Sequence, residues 1–527
     1  MQFSESRRIN GPHLLLPEGG AAIEVDADPD EDLSPFLEAV VRLAPGLGAP
    51  VVRRRGRSAS VAYACPPDQR LLTAEILDAA ARGDATVPPV PGEPDPALVA
   101  AIAATTTRWF LDDDGLTIGT GRGAHTWARG AWPSPDEVRR CGAFDVPLVL
   151  VTGTNGKTTT ARLLARIAAA SGRVAALTSS DGATIGDAWI VRGDCTGSAT
   201  ARSVLRDARV ELAILEVARG GLMRRGLVCG HADAAAITNI SGDHLGEWGL
   251  TTVEDLAAAK AVCVRATRPG AIVVRPVADA ALDAVWPEAA EGRITHTFGD
   301  GGTACVVDGW LVLPTGPLTR IEDIPISLGG RAAFNVQNAL AASLLANALG
   351  IGAEAIRAGL EGFQPDANDS LGRSNIARIA VPGGEADVLV DFAHNPVALR
   401  AIAALARRWG APRTLLVTGI AGDRDDAFVH DFAAEVAEMR PDAVWLKELP
   451  RYRRGRPPGQ IRALLRADLQ AAGMRSDAIA DAEEELGAVQ QALAAARPGD
   501  LVILLVHEDV QVVYEYLTRH GPGSRTP

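Results

Sequence analysis

The chain has 527 residues, a net charge of −13, and is 47% hydrophobic and 22% charged. That length exceeds what one hydrophobic core usually supports and suits about three domains. The acidic balance argues against general nucleic-acid binding, though it leaves local phosphate sites open. No apolar run reaches the roughly 18 residues of a spanning helix, and the start, MQFSESRRINGPHLLL, lacks a signal-peptide core and a small-residue cleavage site. A cytoplasmic protein without a membrane partner is expected. Cys65, Cys141, Cys195, Cys229, Cys263 and Cys305 are scattered and form no CxxC pair, which argues against a zinc cage or disulfide framework and for reduced, mostly buried thiols.

In chain order, residues 1–140 are expected to form a small α+β domain, with a strand at Ala21–Val25 and an amphipathic stretch at Leu33–Leu43. VPPVPGEPDP at 87–96 reads as a linker or long loop. The run Arg53-Arg54-Arg55-Gly56-Arg57 either touches an anionic substrate or is a solvated strand end. From 141 to 368 short β-branched runs alternate with Ala/Leu-rich stretches. Strands are expected at Val149–Val151, Leu212–Val217, Ala234–Thr238 and Ala271–Val274, with helices such as Thr158–Ala170 and Val253–Ala266. That alternation means βαβ units and a central parallel sheet with helices on both faces. A hinge is expected at Asn368–Asp369–Ser370. Beyond it, 369–527 repeats the style in a Rossmann-like domain, with strands at Val388–Asp391, Thr414–Thr418, Ala443–Lys447 and Leu501–Val506. The fold class is therefore α/β in three domains.

The strongest local signal is LVLVTGTNGKTTTARLLARIAA, a buried strand entering Gly153-Thr154-Asn155-Gly156-Lys157-Thr158-Thr159 and then a helix. Glycines let backbone N–H groups approach phosphate oxygens, and the helix N-terminus adds positive potential. Lys157 suits the β/γ-phosphates and the Thr158 hydroxyl suits Mg²⁺. The spacing is the short GxxGKT, since Val151 stands where the common pattern has its first glycine. Glu216 ends an apolar strand, where open parallel sheets bind ligands, and Mg²⁺ prefers carboxylate oxygen. His244, in TNISGDHL, is a second metal-ligand or phosphate candidate, and Lys260 follows on an expected helix.

VTGTNGKTTT (151–160), LEVARGGLMRRGL (215–227), TNISGDHLGEWGLTTVEDLAAAK (238–260), LGGRAAFNVQNALAA (328–342), GRSN (372–375), DFAHNP (391–396) and GDRDD (422–426) together resemble the Mur ligase superfamily, and within it the C-terminal half of cyanophycin synthetases. INGPHLLL resembles their small N-terminal domain, and LTIGTGRGAHTW (116–127) weakly resembles the edge of the ATP-grasp domain that normally follows. That large domain is expected to be missing here, which removes one of two ligation activities and makes polymer synthesis by this chain alone improbable. The resemblance implies ATP and two Mg²⁺ ions, with Thr158, Glu216 and His244 as metal ligands and Lys260 carbamylated to steady the second ion. It implies that Lys157 and His244 serve the chemistry, that Asn335 and Asn338 lie towards the adenine, and that Arg373, His394 and Asn395 reach the nucleotide. It implies that Thr196 and Arg219 face the carboxylate substrate, Arg219 alternatively pairing with a neighbour, and that Asp423, Arg424, Lys447, Glu448 and Arg451 hold the amino acid. Two positions depart from the pattern. Val274-Arg275-Pro276-Val277-Ala278-Asp279 replaces an NADD-like strand end, and Leu371 stands where proline is usual before GRSN.

The implied reaction activates a carboxylate as an acyl phosphate and joins it to an amine, giving an amide, ADP and phosphate. The partners would be an amino acid and a carboxylate-bearing small molecule or peptide, in a possible homo-oligomer. Glu448 and Asp425 would favour a basic amino acid. A glutamate-adding ligase of the folylpolyglutamate or poly-γ-glutamate type stays open, because Arg451, Arg453, Arg454 and Arg456 suit an acidic one. So do a non-catalytic scaffold and a simple P-loop NTPase or kinase, though the last does not explain DFAHNP.

Overall fold

The computed structural model describes residues 2–521 except 5, 10–11, 15, 17–19, 27–31, 45–46, 56–57, 66–68, 83–95, 106–108, 113–114, 129–130, 142–144, 229 and 244. The α/β class expected from sequence is borne out. The chain divides into two compact units, one of Met1–Val307, Leu311–Leu318 and Asn338–Gly359, the other of Asp308–Trp310, Thr319–Gln337 and Leu360–Pro527.

The first unit begins with a sheet in which Gly20–Asp26 pairs antiparallel with Gln2–Phe3, Arg7–Ile9 and Ser58–Ala64, and Val51–Arg55 completes the far edge. The helix Ser34–Leu43 covers it because Phe36, Ala39 and Val40 recur at the three- and four-residue spacing that makes one apolar stripe. The linker expected at 87–96 lies almost wholly outside the described residues. A second antiparallel sheet, Trp109–Asp112, Gly115–Ile118 and His125–Ala128, was not legible in sequence.

Next comes the central sheet, eight strands among the described residues. Ala175–Ser179, Leu212–Glu216, Leu148–Thr152, Ala232–Ile237, Thr267–Pro276 and Ile294–Phe298 run parallel in that spatial order. A hairpin, Gly182–Ile185 and Ala188–Arg192, extends the Ala175 edge antiparallel. Leu148–Thr152 and Leu212–Glu216 are buried at every position, as strands covered on both faces must be. Register places Glu216 beside Val151 and Ile237 beside Thr152, so three strands deliver their carboxyl ends to one edge. The expected strands and helices of this region all occur, with ends moved by a few residues.

The second unit holds a sheet of six strands among the described residues, in the order Asn375–Val381, Gly384–Asp391, Leu501–Leu505, Thr414–Thr418, Ala443–Lys447 and Ile479–Ala482. The first pair is antiparallel and the rest parallel. The helix Pro396–Trp409 shows how sequence sets an element here. Asn395 caps its start by accepting from the Ala398 N–H, Pro396 opens it, Leu399, Ile402, Ala403 and Leu405 are buried, and Gly410 ends it in the left-handed region at φ 74°. Asn368–Ser370, expected as a hinge, belongs to a helical turn, Ala367–Ser370, capped by Asp366.

One buried ion pair organises this sheet's carboxyl edge. Lys447 donates to Glu485 and to the Leu505 carbonyl, and neither charged side chain has exposed surface. Glu485 also accepts from the backbone N–H groups of His507 (2.7 Å), Glu508 (3.0 Å) and Asp509 (2.7 Å). Burial pushes the Glu485 carboxyl up, but Lys447 and these amides outweigh it and hold the group below its ordinary range. Lys447→Met should therefore strand a buried carboxylate and cost about 3–5 kcal/mol in urea unfolding. A loss below about 1 kcal/mol, the level of an exposed pair, would show that this pair does not hold the 507–509 segment.

Candidate nucleotide-binding site

The phosphate-loop sequence adopts a loop that needs its glycines. Gly153 has φ 146°, and a Cβ there would lie 1.9 Å from Thr238 Oγ1 and 3.0 Å from its backbone nitrogen. Gly156, at φ 83°, sits before the helix Lys157–Ala170, and a Cβ there would lie 2.3 Å from Asn338 Oδ1. The loop is braced from the end of the Ala232–Ile237 strand. Thr154 N–H donates to the Asn239 carbonyl (2.9 Å) and Asn155 N–H to Asn239 Oδ1 (3.0 Å). Asn239 Nδ2 and Thr238 Oγ1 both donate to the Asn155 carbonyl, at 2.9 and 2.6 Å, while Ser241 N–H donates to Thr154 Oγ1 (3.0 Å). Asp279, at the departed NADD-like position, accepts from Ile240 N–H (2.8 Å) and caps the next helix, Ala280–Ala289. Sequence reasoning singled out His244 in this segment and missed the bracing of Thr238, Asn239 and Ser241.

Lys157 folds back to donate to the Thr154 carbonyl (2.8 Å). Thr158 Oγ1 donates to Glu216 Oε2 (2.9 Å) and lies 3.2 Å from Ser180 Oγ, and Ser180 N–H donates to the same Glu216 oxygen (3.2 Å). Thr159 is buried on the same helical turn. Thr158 and Glu216, far apart in sequence, are thus brought together, and Ser180 joins them without having been expected. Their oxygens are hard donors, the kind Mg²⁺ prefers, so the residues present fit that ion. His244, the third expected ligand, lies outside the described residues. Among the described residues no group of three or more His, Cys, Asp or Glu is placed to hold a metal.

Lys260 approaches from the helix Val253–Arg265, whose start is fixed by a Thr252–Asp255 capping box. Its ammonium donates to the Gly153 carbonyl (2.7 Å). Burial lowers its pKa to about 7, the charges of Lys157 and Arg219 push the same way, and Asp243 pulls against them. On the expected carboxylate side, Thr196 is buried and bonded to Asp194 Oδ1 through its amide (3.0 Å) and hydroxyl (2.7 Å). It lines a small pocket with Leu150, Thr178, Gly197, Leu215 and Glu216. Arg219 opens the helix Arg219–Arg225 and forms an ion pair with Glu247.

Of the two asparagines on the helix Ala333–Ala348, Asn338 accepts from Thr160 Oγ1 (3.4 Å) beside the loop. Asn335 belongs to the second unit, where Nδ2 donates to the Ile326 carbonyl and to Ser374 Oγ, each at 3.0 Å. There Ser374, at φ 54°, donates its N–H to Asp391 Oδ2 (2.8 Å). Burial pushes the Asp391 carboxyl up against the opposing pull of Arg373 and Ser374. The Arg373 guanidinium lies 4.4 Å from the Phe392 ring centre. His394 and His507 both meet that ring edge-on, at 5.3 and 5.2 Å. His507 is held well below its ordinary pKa by burial and by the nearby Lys447. Asn395 is committed to its helix cap. His507 was missed in sequence; its only signal was an ionisable run, HED, directly after an apolar strand.

The residues expected around the amino acid are largely engaged with one another. Lys447 requires correction, since its buried pairing with Glu485 and Leu505 gives it a structural role in place of the expected substrate contact. Asp425 caps the helix Asp426–Met439. Glu448 accepts from Arg462 (3.0 Å) and from Gly459 N–H (2.9 Å), with Arg453 at 3.4 Å. Asp423 pairs with Arg454 (2.8 Å), Arg456 with Asp426 (2.8 Å), and Arg451 with Asp509 and Glu508. The Arg424 guanidinium lies 4.8 Å from the Phe428 ring centre. Cys65, Cys195, Cys263 and Cys305 form no disulfide, and no helix of the described residues is long and apolar enough to cross a membrane.

A glycine loop opening a helix at the carboxyl edge of a parallel sheet, followed by a second parallel α/β sheet, defines an α/β protein of phosphate-loop architecture. The family comparison makes this specific: residues 151–346 match the Mur ligase middle domain and 372–505 the Mur ligase glutamate ligase domain, and the chain belongs to the Mur ligase family. It is 36% identical over 378 residues to a cyanophycin synthetase of Trichormus variabilis, covering 68% of this chain and 41% of that one. It is 30% identical to a UDP-N-acetylmuramyl-tripeptide synthetase of Leifsonia xyli, covering 68% and 71%. The chain thus spans less than half the length of the cyanophycin synthetases it matches. Its fold resembles a bifunctional folylpolyglutamate synthase/dihydrofolate synthase from Yersinia pestis complexed with AMPPNP and Mn ion, at TM-score 0.52 and 20% identity over 71% of this chain and 88% of that one.

Gly153→Ala should cost about 1–3 kcal/mol, because the added carbon meets Thr238 in a backbone conformation L-residues avoid. Thermal or denaturant unfolding measures this, and an unchanged midpoint would show that the loop can relax away from Thr238.

Proposed function

We propose that the protein is an ATP-dependent ligase that activates a carboxylate and joins it to the amine of an amino acid as an amide. The observation that carries this reading is the Thr158–Glu216 hydrogen bond beside the braced glycine loop, within a chain of the Mur ligase family. Attack of a carboxylate oxygen on the γ-phosphorus of ATP would form an acyl phosphate and release ADP. The amine would then add to the acyl carbon, phosphate would leave, and the amine's proton would pass to solvent or a basic group. Such chemistry rests on positioning and charge neutralisation. The loop amides and Lys157 supply these for the triphosphate, and Arg219 supplies charge on the carboxylate side. Bound Mg²⁺, held by Thr158 and Glu216 with His244, would screen repulsion between the carboxylate and the triphosphate. In the second unit, Arg373 and His394 would serve the nucleotide, while Asp423, Arg424 and Arg451 would serve the amino acid.

The amine proposed is a basic amino acid, as the sequence suggested. The pairings within the fold do not by themselves favour it over an acidic one, since Glu448 and Asp425 are engaged just as the four arginines are. Phosphate release across a matrix of amino acids and small carboxylates, with products weighed by mass spectrometry, tests both levels. Turnover with glutamate in preference to arginine and lysine would replace this amine with an acidic one. No turnover with any pair would leave a non-catalytic scaffold.

Lys260, with a pKa of about 7, is substantially neutral at physiological pH, the state that can take up CO₂ as a carbamate. We propose that modification. Its neutral fraction grows as pH rises through 7, so turnover should rise over that interval and fall in CO₂-depleted buffer; insensitivity to added bicarbonate would count against it. Lys157→Ala should abolish ADP formation. Glu216→Ala and His244→Ala should each lower turnover at least about 100-fold, and near-normal rates in both would contradict the metal assignment.

A further inference from the structure

The arginine run at 53–57 finds its use, through Arg53, in the first unit's own architecture. Arg53 Nη2 donates both to the Gly249 carbonyl and to Asp255 Oδ1, each at 3.1 Å. Gly249 ends a loop with unusual backbone: Gly246, Trp248 and Gly249 have φ of 89°, 54° and 64°. A tryptophan in that region is strained and persists only where its surroundings over-determine it. Here the Trp248 ring lies 5.4 Å from the Arg7 guanidinium and 5.8 Å from that of Arg224. Arg7 is itself tied to Glu24 (2.5 Å). The same N-terminal segment grips the neighbouring helix Arg219–Arg225: His13 Nε2 lies 3.0 Å from the Met223 carbonyl, and the Pro12 carbonyl accepts from Leu227 N–H (3.0 Å). Leu14 packs with Met223, Leu250, Leu256 and Ala259 in one apolar cluster.

These contacts converge on two site residues. The loop and the helix are linked by the Glu247–Arg219 ion pair. Asp255 and Ala259 lie on the helix that carries Lys260. We infer that the N-terminal sheet is a clamp that sets the geometry of the carboxylate side of the site, with Arg53 as a positioning residue acting through the 246–250 loop on Arg219 and through Asp255 on the Lys260 helix. The kinetic part of this inference rests on the ligase reading above; the structural part does not. The phosphate loop is braced chiefly from 238–241 and meets the clamped helix through the single Lys260–Gly153 bond, so the clamp acts first on the carboxylate partner and only weakly on ATP.

The test uses the full chain carrying Arg53→Ala or Arg53→Lys. Hydrogen–deuterium exchange should show faster exchange at amides 246–257 in Arg53→Ala, with the strands 20–26 and 58–64 and the helix 157–170 unchanged. The KM for the carboxylate partner should rise about tenfold, as for loss of a charged hydrogen bond, with the KM for ATP within about twofold. Arg53→Lys keeps the charge but reaches one acceptor, and should recover part of both effects. Unchanged exchange at 246–257 overturns the clamp whether or not the protein turns over. Both KM values rising together overturns its restriction to the carboxylate side. If the N-terminal strands also lose protection in Arg53→Ala, Arg53→Lys decides: strands restored with 246–257 intermediate between wild type and Arg53→Ala supports the clamp, and 246–257 restored completely along with the strands overturns it. A wild-type chain that turns over no pair defeats the ligase reading alone, and the exchange result still decides the clamp.

Discussion

The constraint on which the site depends is the adjacency of three parallel strands that end at one level. Leu148–Thr152 lies between Leu212–Glu216 and Ala232–Ile237, and this order puts a carboxylate beside Thr158 and a bracing loop beside Gly153. Because strands rise about 3.3 Å per residue, a slip of one residue in the Leu212–Glu216 pairing would carry Glu216 out of hydrogen-bond range of Thr158, and one in the Ala232–Ile237 pairing would displace the loop that braces Gly153. Either slip would also turn alternate apolar side chains to the wrong face. Burial on both faces makes such a slip costly, so the hydrophobic core and the site geometry are specified by the same residues.

That coupling explains what could be read in advance. Leu148–Val151, Leu212–Leu215 and Ala234–Ile237 are uninterrupted apolar runs, so their existence as buried strands was plain, and GKT after the first of them fixed the helix start. Strand order is a non-local property, and neither Ser180 nor Asn239 carries a local mark of its place. Ser180 reaches Thr158 only because Ala175–Ser179 pairs with Leu212–Glu216. The hairpin Gly182–Arg192 was illegible for a different reason: its second strand is exposed at every position and so has no alternation to read.

In the second unit the errors have one cause. The resemblance implied that Lys447 and Glu448 hold the amino acid and that Glu448 and Asp425 favour a basic one, yet each is engaged within the fold. A charged group that ends a strand must be solvated, bound to ligand, or paired internally, and sequence does not separate the three. The Lys447–Glu485 pair shows what the third choice achieves. A carboxylate accepting three consecutive amides fixes the backbone that carries His507. His507 in turn flanks Phe392, on which Arg373 lies. A buried ion pair thus sets the placement of the residues expected to meet the nucleotide.

The electrostatics of the first unit's site run against those of the whole chain. Within a protein of net charge −13, Lys157, Arg219 and Lys260 gather near one phosphate loop, and their mutual repulsion has a chemical consequence. Lys260 is the buried member, so desolvation and the other two cations together lower its pKa to about 7. Lys157 retains a backbone carbonyl as partner and Arg219 a carboxylate. The cluster therefore divides its labour by burial and mutual repulsion together, and Lys260 is the member whose pKa is drawn down. Moving Lys260 to the surface would preserve the charge count and remove the desolvation that lowers its pKa, so its buried place on the Val253–Arg265 helix is what sets it apart.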